Sequence, residues 1–157
     1  MAPALFLKGV LVAALSLAAQ AASPPRPLEG TYWKAIELEG NPVPSQESGR
    51  EAYLLLMDEG RVSGFDGCNR VAGRWEVKHS AVMFSDMAAT RMACIDTSGI
   101  DAAFRNALTK ARELRVAGDH LELFGGWTRT RLFGRFTKKR VAVFLAVSSR
   151  PADSEQH

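Results

Sequence analysis

The sequence predicts an α+β domain, a curved antiparallel sheet or cracked partial β-barrel with one amphipathic helix. Three observations predict it. Short apolar runs, several alternating with a period of two, recur between residues 31 and 133 and are punctuated by turn residues. One segment among them carries a helical period instead. Gly64, Gly67 and Gly73 lie in or beside the strand runs, where backbone that bends, bulges or takes positive φ suits a curved sheet.

The first strand is Thr31–Leu38, with Tyr32, Trp33, Ile36 and Leu38, closed by the turn Gly40-Asn41-Pro42. Glu51–Met57 follows around Tyr53-Leu54-Leu55-Leu56 and stops at Asp58-Glu59-Gly60. Arg61–Phe65 alternates, with Val62 and Phe65 apolar; Ala72–Val77 centres on Trp75; Lys78-His79-Ser80 turns the chain into Val82-Met83-Phe84. Ile100, Ala103, Phe104, Ala107, Leu108 and Ala111 then recur every three or four residues, making one apolar helical stripe. Ser98 stands at the N-cap position of that helix, with Asp101 three residues on, close to a capping box. Glu113–Val116 and His120–Phe124 flank Gly118-Asp119 as a tight hairpin, and Gly125-Gly126 separates a further strand, Trp127–Phe133. The methionines and the three tryptophans, Trp33, Trp75 and Trp127, are expected in the core.

Residues 1–21 have the form of a secretory signal peptide: Lys8, an apolar Gly9–Ala19, then Ala19-Gln20-Ala21 as the cleavage site. The apolar stretch spans about 11 residues, against roughly 20 for a membrane-crossing helix. No cysteine follows it for lipidation, so the expected location is periplasmic or secreted. Residues 22–27 form a Pro-rich leader, extended and stiff. Residues 28–136 hold the domain. Residues 137–157 form a basic and apolar extension ending in a polar tail, Ser148–His157. Within the extension, Lys138-Lys139-Arg140 precedes the apolar run Val141–Val147, read as an added edge strand, as an element that meets a partner or an anionic membrane surface, or as a poorly ordered tail.

The formal charge of +3 is unevenly spread. Residues 22–128 carry 12 Lys+Arg against 15 Asp+Glu, whereas residues 129–157 carry 7 against 2. The basic excess therefore belongs to the C-terminal end, and no nucleic-acid partner is expected of the domain.

Cys68 and Cys94 are the only cysteines, and in an exported chain they suggest one disulfide. A reduced buried pair and a soft metal site built on Met87, Met92 and Cys94, with thioether and thiolate ligands suited to Cu(I), are the other readings. His79, His120 and His157 are isolated and show no metal-ligand spacing, so no cofactor is expected. There is no nucleophile elbow, phosphate loop or dinucleotide glycine pattern. Asp66 and Asp86 are the nearest approach to an acid/base pair, and turn or cap roles suit them better. The expectation is a domain without catalytic residues.

Gly67-Cys68-Asn69-Arg70, Gly73 and Trp75, then Thr90-Arg91-Met92-Ala93-Cys94, resemble the signature of the META domain, the family of the bacterial heat-shock protein HslJ. The opening Leu28-Glu29-Gly30-Thr31-Tyr32-Trp33 and the hairpin at Gly118-Asp119 are similar to the family's as well. The resemblance implies a sheet wrapped partly around a helix, and a setting in the bacterial envelope and its stress response. It implies a partner that is an envelope protein or a lipid-like small molecule. It also singles out a polar cluster, Asn69, Arg70, Thr90 and Arg91. Those side chains either pin two loops together or form the polar end of a ligand pocket.

Overall fold

The structure is a computed structural model and describes residues 24–45, 50–94, 97–129 and 136–147. The expected signal peptide and the polar tail lie outside the described residues.

Nine strands and one α-helix follow in the order β1 (Tyr32–Leu38), β2 (Asn41–Pro42), β3 (Tyr53–Leu56), β4 (Arg61–Phe65), β5 (Arg70–Lys78), β6 (Ala81–Ala89), α1 (Ile100–Lys110), β7 (Glu113–Ala117), β8 (His120–Arg129) and β9 (Phe136–Val147). All pairings are antiparallel. Around the sheet β1 neighbours β3, the strands then continue in sequence to β9, and β9 returns to β1. β2 is a two-residue flap on the end of β1. Eight strands thus close a barrel, and α1 packs into its opening.

The apolar alternation explains the staves. Leu54 and Leu56 of β3, Val62 of β4, Val71 and Trp75 of β5 and Leu121 and Leu123 of β8 all face a common core. The helical stripe fills the centre: Phe104, Ala107 and Leu108 are buried, and the Phe104 ring meets Phe144 of β9 edge-on at 6.1 Å. Trp33 and Trp75 satisfy their indole N–H groups at the core's rim, on the carbonyls of Leu28 (3.1 Å) and Met57 (3.0 Å).

Several expectations are corrected. The α1 N-cap is Gly99, at φ +74°, and no side chain caps the helix; the Thr97 hydroxyl donates instead to the Asp101 carboxylate, 2.7 Å away. Gly125-Gly126 do not end a strand. β8 runs through them by a shift of register, with Phe124 opposite Arg140 and Trp127 opposite Lys138, so the glycines supply the irregularity and the ladder resumes. Trp127 is exposed, where β8 has run past its pairing with β7 and pairs with β9 alone among the described residues. Met83, Met87 and Met92 are exposed as well, on the side where the barrel is least closed.

The run Val141–Val147 is a barrel stave. It pairs with β1 from Leu38↔Ala142 to Tyr32↔Val147 and with β8 on its other side, and Val141, Ala142, Val143 and Phe144 are buried. The boundary expected at residue 136 falls at the first residue of this closing strand. Leu145, Ala146 and Val147 at its end are half-buried. Among its described residues the leader is held at Arg26, whose N–H donates to the Gly118 carbonyl at 2.9 Å, and at Pro27, whose carbonyl accepts the Thr31 hydroxyl at 2.6 Å.

Candidate functional site

The chain's most polar interior feature begins at Asp66. Its carboxylate is wholly buried. Oδ1 accepts the backbone N–H groups of Cys68 (3.0 Å) and Asn69 (2.6 Å), an Asx turn in which Gly67 takes φ +95°. Oδ2 is bonded by Arg105 of α1, which also reaches Asp101 at 2.9 Å. The Thr97 hydroxyl, aided by Arg105, holds the Asp101 carboxyl below its ordinary value even though burial works the other way. Burial also opposes the charge of Arg105, but its bonds to Asp101 and Asp66 outweigh that and raise its pKa.

Asn69 ties this turn to the second motif. Its Oδ1 accepts the Thr90 hydroxyl (3.2 Å) and the Met92 N–H (2.8 Å), and the Arg70 N–H donates to the Thr90 hydroxyl oxygen at 3.1 Å. The disulfide Cys68–Cys94 is formed, with a Cα–Cα distance of 5.9 Å. Its sulfurs carry no thiolate, so the soft-metal arrangement of Met87, Met92 and Cys94 loses its anionic ligand. Among the described residues no group of three His, Cys, Asp or Glu is placed to hold a metal ion.

Of the four polar signature residues, the structure joins Asn69 to Thr90 and turns the other two outward. Arg70 and Arg91 are exposed and have no side-chain partner among the described residues, so they stand apart from the expected polar cluster. Alternation along β5 accounts for Arg70: its neighbour Val71 takes the inward position. Asp86 sits on a bulge of β6 at φ +52° and is exposed, so it does not share the surroundings of Asp66. Asp66 and Arg105, the centre of the network, were not singled out together from sequence. They lie 39 positions apart, and only the packing of α1 brings them into contact.

Beside this network the barrel has its one weak joint among the described strands. β6 and β7 share a single residue pair, Ala81↔Glu113, supported by the bonds Val82 N–H to the Arg112 carbonyl (3.0 Å) and Leu114 N–H to the Ser80 carbonyl (2.8 Å). From there β6 diverges, and its far half faces α1 in place of a strand. The divergence opens a cleft of about 190 Å³ lined by Val71, Met87, Ala88, Ala89 and Leu108, with Arg105 and Thr109 at its polar side. The β6 bulge shapes one wall: a Cβ on Gly73 of β5 would meet the Met87 sulfur at 2.5 Å and the Ser85 carbonyl oxygen at 2.9 Å. Only glycine lets Met87 lie flat over β5 at this point.

Comparison with known proteins agrees with this architecture. Two solution NMR structures share the fold. One, from Burkholderia xenovorans, is 23% identical with a TM-score of 0.55, and the match covers 92% of this chain and all of that one. The other is 19% identical with a TM-score of 0.53, over 75% of this chain and 90% of that one. No curated protein matches the chain significantly. The family model of the META domain matches residues 26–138, across the Asp66 turn, both cysteine motifs, the helix and the cleft. The chain belongs to the META domain family.

Proposed function

We propose that this META domain is a non-catalytic, exported binding module of the cell envelope. It takes an apolar small molecule, or an apolar segment of a protein partner, into the crack between β6 and α1 as part of an envelope stress response. The observation that carries the reading is the cleft itself. It opens at the joint where the barrel is not sealed by strand pairing, and its walls are mainly aliphatic and thioether groups. Leu108 and Met87 in its walls suit an apolar chain or side chain. The disulfide is compatible with an oxidising compartment outside the cytoplasm.

A second reading has its own support. The signature residues Asn69 and Thr90, with Asp66, direct their hydrogen-bonding groups at the chain's own backbone and helix. That arrangement suits a stable structural factor with no dedicated ligand. Native mass spectrometry of the chain purified from its host envelope separates the two. A co-purifying lipid-sized mass, lost in an Ala88→Trp variant that fills the cleft, is the expected result. A bare chain mass in both proteins favours the structural factor, and a copper adduct contradicts both.

A further inference from the structure

Beyond the barrel, β8 and β9 continue as a two-stranded arm. Its register sets Trp127 opposite Lys138 and Arg129 opposite Phe136. Residues that face one another across a ladder, and those two apart along it, share one face. Trp127, Arg129, Phe136 and Lys138 therefore make one surface of the arm. The two aromatic side chains are each 64% exposed, more than any other large apolar residue described. The Lys138 ammonium lies 4.9 Å from the Trp127 ring centroid and is ion-paired with Glu113 at the arm's root. Arg129 and, on the opposite face, Lys139 are exposed and have no carboxylate partner among the described residues. From residue 127 to residue 140 the sequence contains no acidic residue.

We propose that this arm is a contact site for an anionic membrane surface. The chemistry selects that partner on two counts. The unpaired Arg129 guanidinium on this surface is attracted to acidic headgroups within about a Debye length. An exposed indole beside a phenyl ring gains by entering the headgroup boundary, where an apolar body and an N–H are both accommodated. A duplex nucleic acid or inorganic polyanion in free solution would use the charges and leave the two aromatic side chains without a role. Among the described residues no helix is long and apolar enough to cross a membrane, so the contact is interfacial. It is independent of the cleft, which lies between β6 and α1.

Co-sedimentation of the purified chain with vesicles of phosphatidylglycerol, against vesicles of phosphatidylcholine, tests the inference. The chain is expected to pellet with the anionic vesicles and to be released by salt. Trp127→Ala/Phe136→Ala and Arg129→Gln variants, with unchanged circular dichroism, are each expected to weaken binding by about fivefold or more. These side chains are exposed, and their loss leaves the core untouched. No pelleting with either vesicle, equal pelleting with both, or variants that bind like the parent overturns the proposal. So does retention on duplex DNA without vesicle binding.

Discussion

At the scale of single residues, Asp66 is the one carboxylate buried completely among the described residues. It satisfies two backbone donors of the Asx turn and the guanidinium of Arg105 while fully buried. Asp66→Ala leaves those donors without an acceptor and is expected to destabilise the domain by about 2–4 kcal/mol. Chemical denaturation checks it, and a loss under about 1 kcal/mol would mean that water replaces the carboxylate. Asp101 gives a pH signature. Its folded pKa lies below the ordinary value of about 3.9. Its contribution is therefore complete above the unfolded value and fades as pH falls through the folded one. The stability gap between the parent and Asp101→Asn should be widest near neutrality and narrow below about pH 4. Urea titrations at the two pH values measure it; an equal gap at both would contradict the assignment.

The same residues show how far the site was legible. A turn role for Asp66 follows from its position before Gly67, and pairing of Cys68 with Cys94 follows from their count and the expected export. The partnership with Arg105 has no local signature, since it depends on which way the polar side of α1 faces. Arg70 illustrates the reverse problem. Its place in the signature suggested a part in the polar cluster, but strand alternation turned it outward.

At the scale of elements, α1 is the most legible piece, because a period of three and four over one segment admits a single apolar face. Phe104 is the test. It is fully buried against Phe144, and Phe104→Ala is expected to cost about 3–5 kcal/mol in a denaturation experiment. The strand cores were equally readable, while their ends were not. β6 extends to Ala89, well past Val82-Met83-Phe84, because its later residues bind β5 through a bulge, and Ala88-Ala89 carries no strand alternation. β8 crosses Gly125-Gly126 because the partner strand β9 absorbs the shift in register. Long-range pairing overrides a local breaker in both cases.

At the scale of the molecule, closure depends on β9. The apolar run at 141–147 reads locally as an extension, yet it joins β1 to β8 and completes the barrel. Its amides should exchange with solvent as slowly as those of β3 and β4, and hydrogen exchange resolved by residue reports on this directly. Exchange as fast as that of exposed loops would mean the barrel opens at β9 and not at β6. The position of the crack follows from topology. A helix inserted between β6 and β7 takes the space a continuous ladder would occupy, and a cleft remains where the diverging strand and the helix do not meet.

The central claim is that this cleft is a binding site. Amide chemical-shift mapping by NMR, with a soluble long-chain fatty acid added to the chain, tests it most directly. The account predicts saturable shifts confined to Val71, Met87–Ala89, Arg105, Leu108 and Thr109, abolished by Ala88→Trp. Shifts scattered over the barrel surface, or unchanged spectra up to the solubility limit of the probe, would contradict it.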